Sequence, residues 1–96
     1  FEKDIVLNPK SEISYLYLSK IFKNLNKKKL QEQNLNTVIL LNPQNEEATL
    51  NLAKLKLDSS DYKKSRELNE KLNSLCNKFC KESQKLKTEI ENLSKK

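Results

Sequence analysis

Residues 5–20 read IVLNPKSEISYLYLSK, and residues 39–54 read ILLNPQNEEATLNLAK. Set one above the other, the two stretches are identical at eight of sixteen positions. Ile5 falls on Ile39, Leu7 on Leu41, Asn8-Pro9 on Asn42-Pro43, Glu12 on Glu46, Leu16 on Leu50, Leu18 on Leu52 and Lys20 on Lys54. The interval is 34 residues throughout. The matches run through apolar, polar and charged positions alike, so the chain carries an internal repeat and not merely a shared composition.

Working outward from the second Asn-Pro pair, the apolar spacing predicts helices. Tyr15, Leu18, Ile21, Phe22 and Leu25 form one stripe at helical spacing over residues 12–25. Residues 26–28 then make a turn, and a second helix is expected over 29–41. Pro43 stops it, because the residue before a proline is pushed away from helical angles. Asn45 can cap a third helix over 46–57, with Glu46 and Glu47 favourable beside its positive N-terminal end. Residues 58–60 turn again, and Ser60 or Asp61 caps a fourth helix reaching about residue 75. Helices joined by such short turns form antiparallel hairpins that stack.

A 34-residue helix–turn–helix unit resembles the tetratricopeptide repeat (TPR) family. That family sets a bulky residue, then Leu with a small residue, then an aromatic along its first helix, as Tyr15, Leu18-Ser19 and Phe22 stand here. On its second helix a small residue, a bulky one and a proline follow, where this chain has Gln31, Leu35 and Pro43. Gln31 departs from the small site, so the two helices are expected to cross less closely there. The next unit is looser. Ala53 and Ser65 keep the small sites, while Lys56, Asn69 and Asn77 stand where an aromatic, a bulky residue and a proline belong. The resemblance implies an all-α array of stacked hairpins: 1–9 as the second helix of a preceding unit, 10–43 and 44–77 as two units, and 78–96 as a C-terminal capping helix. The opening Phe1 suggests that the natural chain continues upstream, and an isolated array so truncated is expected to be less stable than an extended one.

Composition agrees with helices. The 96 residues contain no Gly and two Pro, with charged residues at 33% and hydrophobic ones at 35%. Tight β-hairpins would lack their usual glycines. The longest apolar run, Val38 to Leu41, is far short of the roughly 18 residues of a membrane span. The net charge of +6 comes almost wholly from lysine, Arg66 being the single arginine. Arg makes the commonest specific base contacts, so nucleic acid is a weak expectation as partner. With no His, no glycine-rich phosphate loop and no paired catalytic signature, the chain does not read as an enzyme, and it suggests no cofactor.

Three features carry functional expectations. First-helix residues line the concave groove in TPR proteins, which implies Leu16, Lys20, Asn24, Leu50, Lys54 and Asp58 as lining for a partner segment with apolar and acidic residues. A chaperone-type carboxylate clamp is not expected, because Leu16 and Lys20 stand where that clamp has Lys and Asn. Second, the run Lys27 to Lys29 reads as a solvated turn. Third, Cys76 and Cys80 lie four apart: on an unbroken helix they are two buried free thiols, but a break near Asn77 makes a disulfide feasible. Two thiols without further Cys or His make no complete zinc site.

Residues Leu72, Phe79, Leu86 and Leu93 recur every seven, interleaved with Cys76, Ser83 and Ile90. That stripe suits either a capping helix or a coiled-coil seam between chains. The sequence therefore predicts a protein–protein scaffold or adaptor. The alternatives are a basic helical module on nucleic acid or anionic lipid, and an oligomerising coiled coil. A Cys76–Cys80 bridge would place the chain in an oxidising compartment such as a periplasm or cell envelope, in keeping with a composition like that of TPR proteins from AT-rich bacterial genomes; without it the cytoplasm is expected.

Overall fold

The computed structural model describes residues 11–95, and these are all-α: five helices and no strand among the described residues. They are α1 (Glu12–Asn24), α2 (Lys28–Leu41), α3 (Glu46–Asp58), α4 (Tyr62–Leu75) and α5 (Cys80–Ser94). The expected helix over 1–9, with the first Asn-Pro pair, lies outside the described residues. Helices α1 and α2 pack as one hairpin and α3 and α4 as another, α2 lies against α3, and α5 lies against α4 and touches α3. The first helix of each hairpin and the last helix start at Glu12, Glu46 and Cys80, so the 34-residue interval persists through α5.

The two hairpin turns obey the same interval. Asn26 and Ser60, 34 apart, both adopt left-handed backbone at φ 58° and 64°. At each turn the chain closes with the same pair of backbone bonds. Lys27 N–H donates to Phe22 O at 2.9 Å and Asn26 N–H to Lys23 O at 3.1 Å; Asp61 N–H donates to Lys56 O at 2.8 Å and Ser60 N–H to Leu57 O at 3.0 Å. A long bond from the residue after the left-handed one, over a shorter inner bond, is how helices commonly end, normally with glycine at that position. Lacking glycine, this chain uses Asn once and Ser once.

Caps fall where the side chains can supply them. Asn45 accepts from Ala48 N–H at 2.9 Å and Asp61 from Lys64 N–H at 3.1 Å, each satisfying an otherwise orphaned first-turn donor. The N-caps of α1, α2 and α5 (Ser11, Lys27 and Phe79) make no side-chain capping bond, and the first turn of α2 holds no acidic residue.

The core is built around α3. Leu50, Leu52, Ala53, Leu55 and Leu57 of α3 are buried with Leu35 and Val38 of α2, Leu68 and Leu72 of α4, and Leu86 and Ile90 of α5. Each fully buried Leu contributes about 1.5–3 kcal/mol relative to exposure. Helix α1 contributes no fully buried apolar side chain; Tyr15 and Leu16 are half-buried against the edge of the cluster. The small sites Ala53 and Ser65 meet: Ser65 is fully buried and its Oγ donates to Ala53 O at 2.7 Å, so α3 and α4 approach closely there.

Candidate functional site

The six residues expected to line a groove divide into two kinds. Leu16 is half-buried, and Lys20, Asn24, Lys54 and Asp58 are exposed. Leu50, at 3% exposure, is core. The repeat equates Leu16 with Leu50, but among the described residues α3 packs against α2, α4 and α5 whereas α1 packs against α2. Equivalent positions therefore differ in burial.

Of the lysines, Lys20 is already partnered. Its Nζ lies 2.6 Å from Glu47 Oε2, tying α1 to the first turn of α3, and both side chains keep considerable solvent contact. Lys56, in the aromatic site of the repeat, makes the second such link: its Nζ lies 2.8 Å from Glu32 Oε2 on α2. Lys56 is partly shielded there, its stem lying against the protein while the ammonium meets its carboxylate. Neither ion pair was foreseeable from spacing within one helix.

Lys54 and Asp58 share a cavity of about 170 Å³ with residues from the end of α1 and the start of α2. Lys23, Asn26 and Lys28 close it on that side, and Gln31, Asn51 and Leu55 complete the wall. Gln31 is 6% exposed. It lines the cavity at the position that Ser65, a small residue, holds one unit later. A larger cavity of about 290 Å³ lies between α4 and α5, bordered by the mixed charges Arg66, Glu70, Lys87 and Glu91. At its base Ser83 Oγ donates to Asn69 Oδ1 at 2.9 Å and Asn69 Nδ2 donates to Ser83 O at 3.0 Å, so these buried groups satisfy one another.

The junction before α5 resolves the cysteine question. The helix breaks over residues 76–79, and Cys76 and Cys80 are joined in a disulfide with their Cα atoms 5.2 Å apart. The free-thiol reading presumed an unbroken helix and buried thiols; here Cys76 is half-buried and Cys80 exposed. The same turn is held by Glu46, whose Oε1 accepts the backbone N–H groups of Asn77 at 2.9 Å, Lys78 at 3.1 Å and Phe79 at 3.1 Å. The Asn77 bond, followed by those from Phe79 and Lys78 and by the Lys78 charge, lowers the Glu46 pKa from its ordinary value of 4.5 against a smaller effect of burial. One unit earlier Glu12 does the corresponding work, accepting from the side chains of Asn42, at 3.0 Å, and Asn45.

The seven-residue stripe of the C-terminal stretch is covered within the chain. Leu72, Ser83, Leu86 and Ile90 are buried, and Phe79 packs at the edge of the core. Leu93 alone of the stripe is exposed as a large apolar side chain. Among the described residues no group of three or more acidic, Cys or His side chains gathers as a metal site, and no helix is long and apolar enough to cross a membrane.

No protein-family model matches the sequence, and comparison with curated proteins finds no match.

Proposed function

We propose that the chain is a TPR-like array serving as a protein–protein scaffold or adaptor, with α5 as its cap. The single observation that carries this reading is the 34-residue register shared by three helix starts and two left-handed turns. A repeat maintained in backbone geometry as well as in sequence suits a surface that engages an extended partner, as stacked helical hairpins do. The polar outer residues of α5, among them Lys81, Lys85, Glu89 and Glu91, suit the solvated end of such an array.

The partner surface runs along Leu16, Lys20, Asn24, Lys54 and Asp58. Leu50 supports it from beneath. Among the described residues Lys54 makes no ion pair, which leaves its ammonium open to an acidic residue of the partner, while Lys20 is shared with Glu47. The Cys76–Cys80 bridge favours an oxidising compartment such as a periplasm or cell envelope.

The test is the double change Lys20→Glu with Lys54→Glu in pull-downs from native extract. Both side chains are exposed, and losing the exposed Lys20–Glu47 pair costs only about 0–1 kcal/mol, so helicity should persist. Capture of an acidic partner should fall by roughly tenfold, about 1.4 kcal/mol. Unchanged capture would place the interface elsewhere. Steeply salt-dependent binding to nonspecific DNA would instead favour a nucleic-acid module.

A further inference from the structure

Among the described residues, the joint between α4 and α5 is the one junction whose bend no residue type enforces. At the α2–α3 junction Pro43 bars an unbroken helix, and the α1–α2 and α3–α4 turns rest on the left-handed Asn26 and Ser60. One period after Pro43 stands Asn77, and from Tyr62 to Ser94 the chain has neither Gly nor Pro. Cys76 keeps a helical φ of −61°, so chiefly its ψ, at 137°, separates it from a helix. The seven-residue stripe from Leu72 to Leu93 runs through the bend without losing register. The end of α4 is also unfinished. The C-caps of α1, α2, α3 and α5 each donate a backbone N–H to a helix carbonyl, whereas that of α4, Cys76, donates none among the described residues.

What holds the bend is removable. Glu46 accepts its N–H groups, and the Cys76–Cys80 bridge excludes the straight form. In an α-helix, residues four apart have Cβ atoms about 5–6 Å apart. A disulfide needs them at about 3.5–4.5 Å. The bridge and an unbroken α4–α5 helix therefore cannot coexist.

We propose that the bridge is a redox lock on an exchange of α5 between two copies of this chain. With the bridge open, residues 62–94 run as one helix, and α5 covers α3 and α4 of a second copy as it covers its own here. Such an exchange retains the contacts that α5 makes in the closed chain. Leu86 and Ile90 stay buried, and the pairs Asn69–Ser83, Asn73–Gln84 and Arg66–Ser94, which straddle the joint, re-form between chains. The Glu46 bonds to the turn are lost, offset by helical bonds across residues 76–79. Only a second copy carries a surface already fitted to α5, which favours it over any other occupant.

Opening the lock takes a dithiol. Its thiolate attacks the exposed Cys80 Sγ, forming a mixed disulfide and releasing Cys76 as thiolate. The second thiol of the reductant then displaces Cys80, the reductant leaves as a disulfide, and its two protons pass to the two cysteines. Half-buried Cys76 is the less accessible sulfur.

The test is the solution mass of the full chain over a wide range of concentration, bridged, reduced with dithiothreitol, and as Cys76→Ser with Cys80→Ser. The bridged chain should keep the mass of one copy. The other two should form a dimer that grows with concentration at unchanged helicity. Spectroscopic labels attached by non-thiol chemistry at positions 66 and 94 read the exchange itself. These residues meet across the closed joint, Arg66 Nη2 lying 3.5 Å from Ser94 Oγ. In a doubly labelled chain paired with unlabelled copies they should stand about 42 Å apart, the rise of 28 residues of helix. Asn77→Pro places at this joint the residue of the earlier junction and bars the straight helix, so its reduced form should stay a single chain. A reduced wild-type chain that stays single at every concentration would overturn the proposal. So would a dimer whose two labels remain in contact, or an Asn77→Pro variant that dimerises like wild type.

Discussion

The Glu46 carboxylate accepts the backbone N–H of Phe79 at 3.1 Å, and Phe79 is the residue that caps α5. Glu12 reaches Asn45, the cap of α3, by accepting from its side-chain amide instead of its backbone. The first-turn glutamate of each unit thus reaches forward 33 residues to secure the start of the following first-position helix. At the first junction the turn is stiffened by Asn42-Pro43; at the second, which has no proline, Glu46 takes three N–H groups and the disulfide closes the loop.

Glu46 should therefore make the attachment of α5 sensitive to acid. Its folded pKa lies below the unfolded value, so its contribution is complete above the ordinary value of 4.5 and is lost as pH falls through the folded value. Chemical denaturation across pH 6 to 3 should show wild-type stability declining below that value. Glu46→Gln should be less stable at pH 6 and should show a shallower decline. Parallel curves for the two proteins would mean that other carboxylates set the acid response.

Breaking the Cys76–Cys80 bridge should cost stability without unfolding the chain. Closing so short a loop removes little unfolded-state entropy, about 2 kcal/mol on the chain-entropy model. Because Glu46 grips the same turn independently, Cys76→Ser with Cys80→Ser should keep its helicity and lose no more than about that amount. The double change combined with Glu46→Gln should lose more than the sum of the separate effects, since each then removes the last restraint on one turn. Strict additivity in urea melts would show that α5 is held by its apolar face alone.

Much of this architecture is legible in the sequence, for reasons that differ by element. The Asn45 and Asp61 caps and the stop at Pro43 follow from side-chain chemistry acting within a few residues, so the helix ends fall close to expectation. Leu50 is harder, because whether a repeated leucine is lining or core depends on how many neighbours flank its helix. Gln31 was visible as a departure from a small residue, but the cavity it lines is assembled from three helices and has no signature in one stretch. The bridge depended on whether the helix broke near Asn77, and no Pro or Gly marks that break. Glu46, 31 residues earlier, holds the break by accepting the N–H groups it frees.

Ser60 holds a left-handed backbone at φ 64° where glycine is the usual occupant. A non-glycine residue there costs about 1–2 kcal/mol, partly offset by the greater unfolded freedom of glycine. Ser60→Gly should consequently raise stability by about 0.5–1 kcal/mol. Asn26→Gly should gain less, since asparagine tolerates this region better. A loss of stability in Ser60→Gly, read from the urea midpoint, would show that the serine side chain contributes more than its backbone costs.

Ser65 measures how closely α3 and α4 approach. Its Oγ satisfies itself on Ala53 O, which also belongs to the helical ladder, so Ser65→Ala should cost no more than about 1 kcal/mol. Ser65→Leu must force the helices apart and should cost about 3 kcal/mol. If the leucine variant melts with wild type, the two helices are not in contact there and the second hairpin is looser than drawn.

The last helix separates a cap from a coiled coil. Leu86 and Ile90 are each 1% exposed, buried against α4 and α3 of their own chain. A seam between chains would need those side chains on its outer surface, and Leu93 is too little by itself to hold two helices together. The melting temperature should therefore be independent of protein concentration, and the solution mass should be that of one chain, 11.2 kDa, at every dilution. Leu86→Ala should lower stability by about 2–5 kcal/mol, the cost of a cavity in a packed core, and by the same amount at high and low concentration. A melting temperature that rises with concentration, or a Leu86→Ala penalty that vanishes on dilution, would show that the stripe pairs between chains and that α5 swings away from the hairpin it covers here.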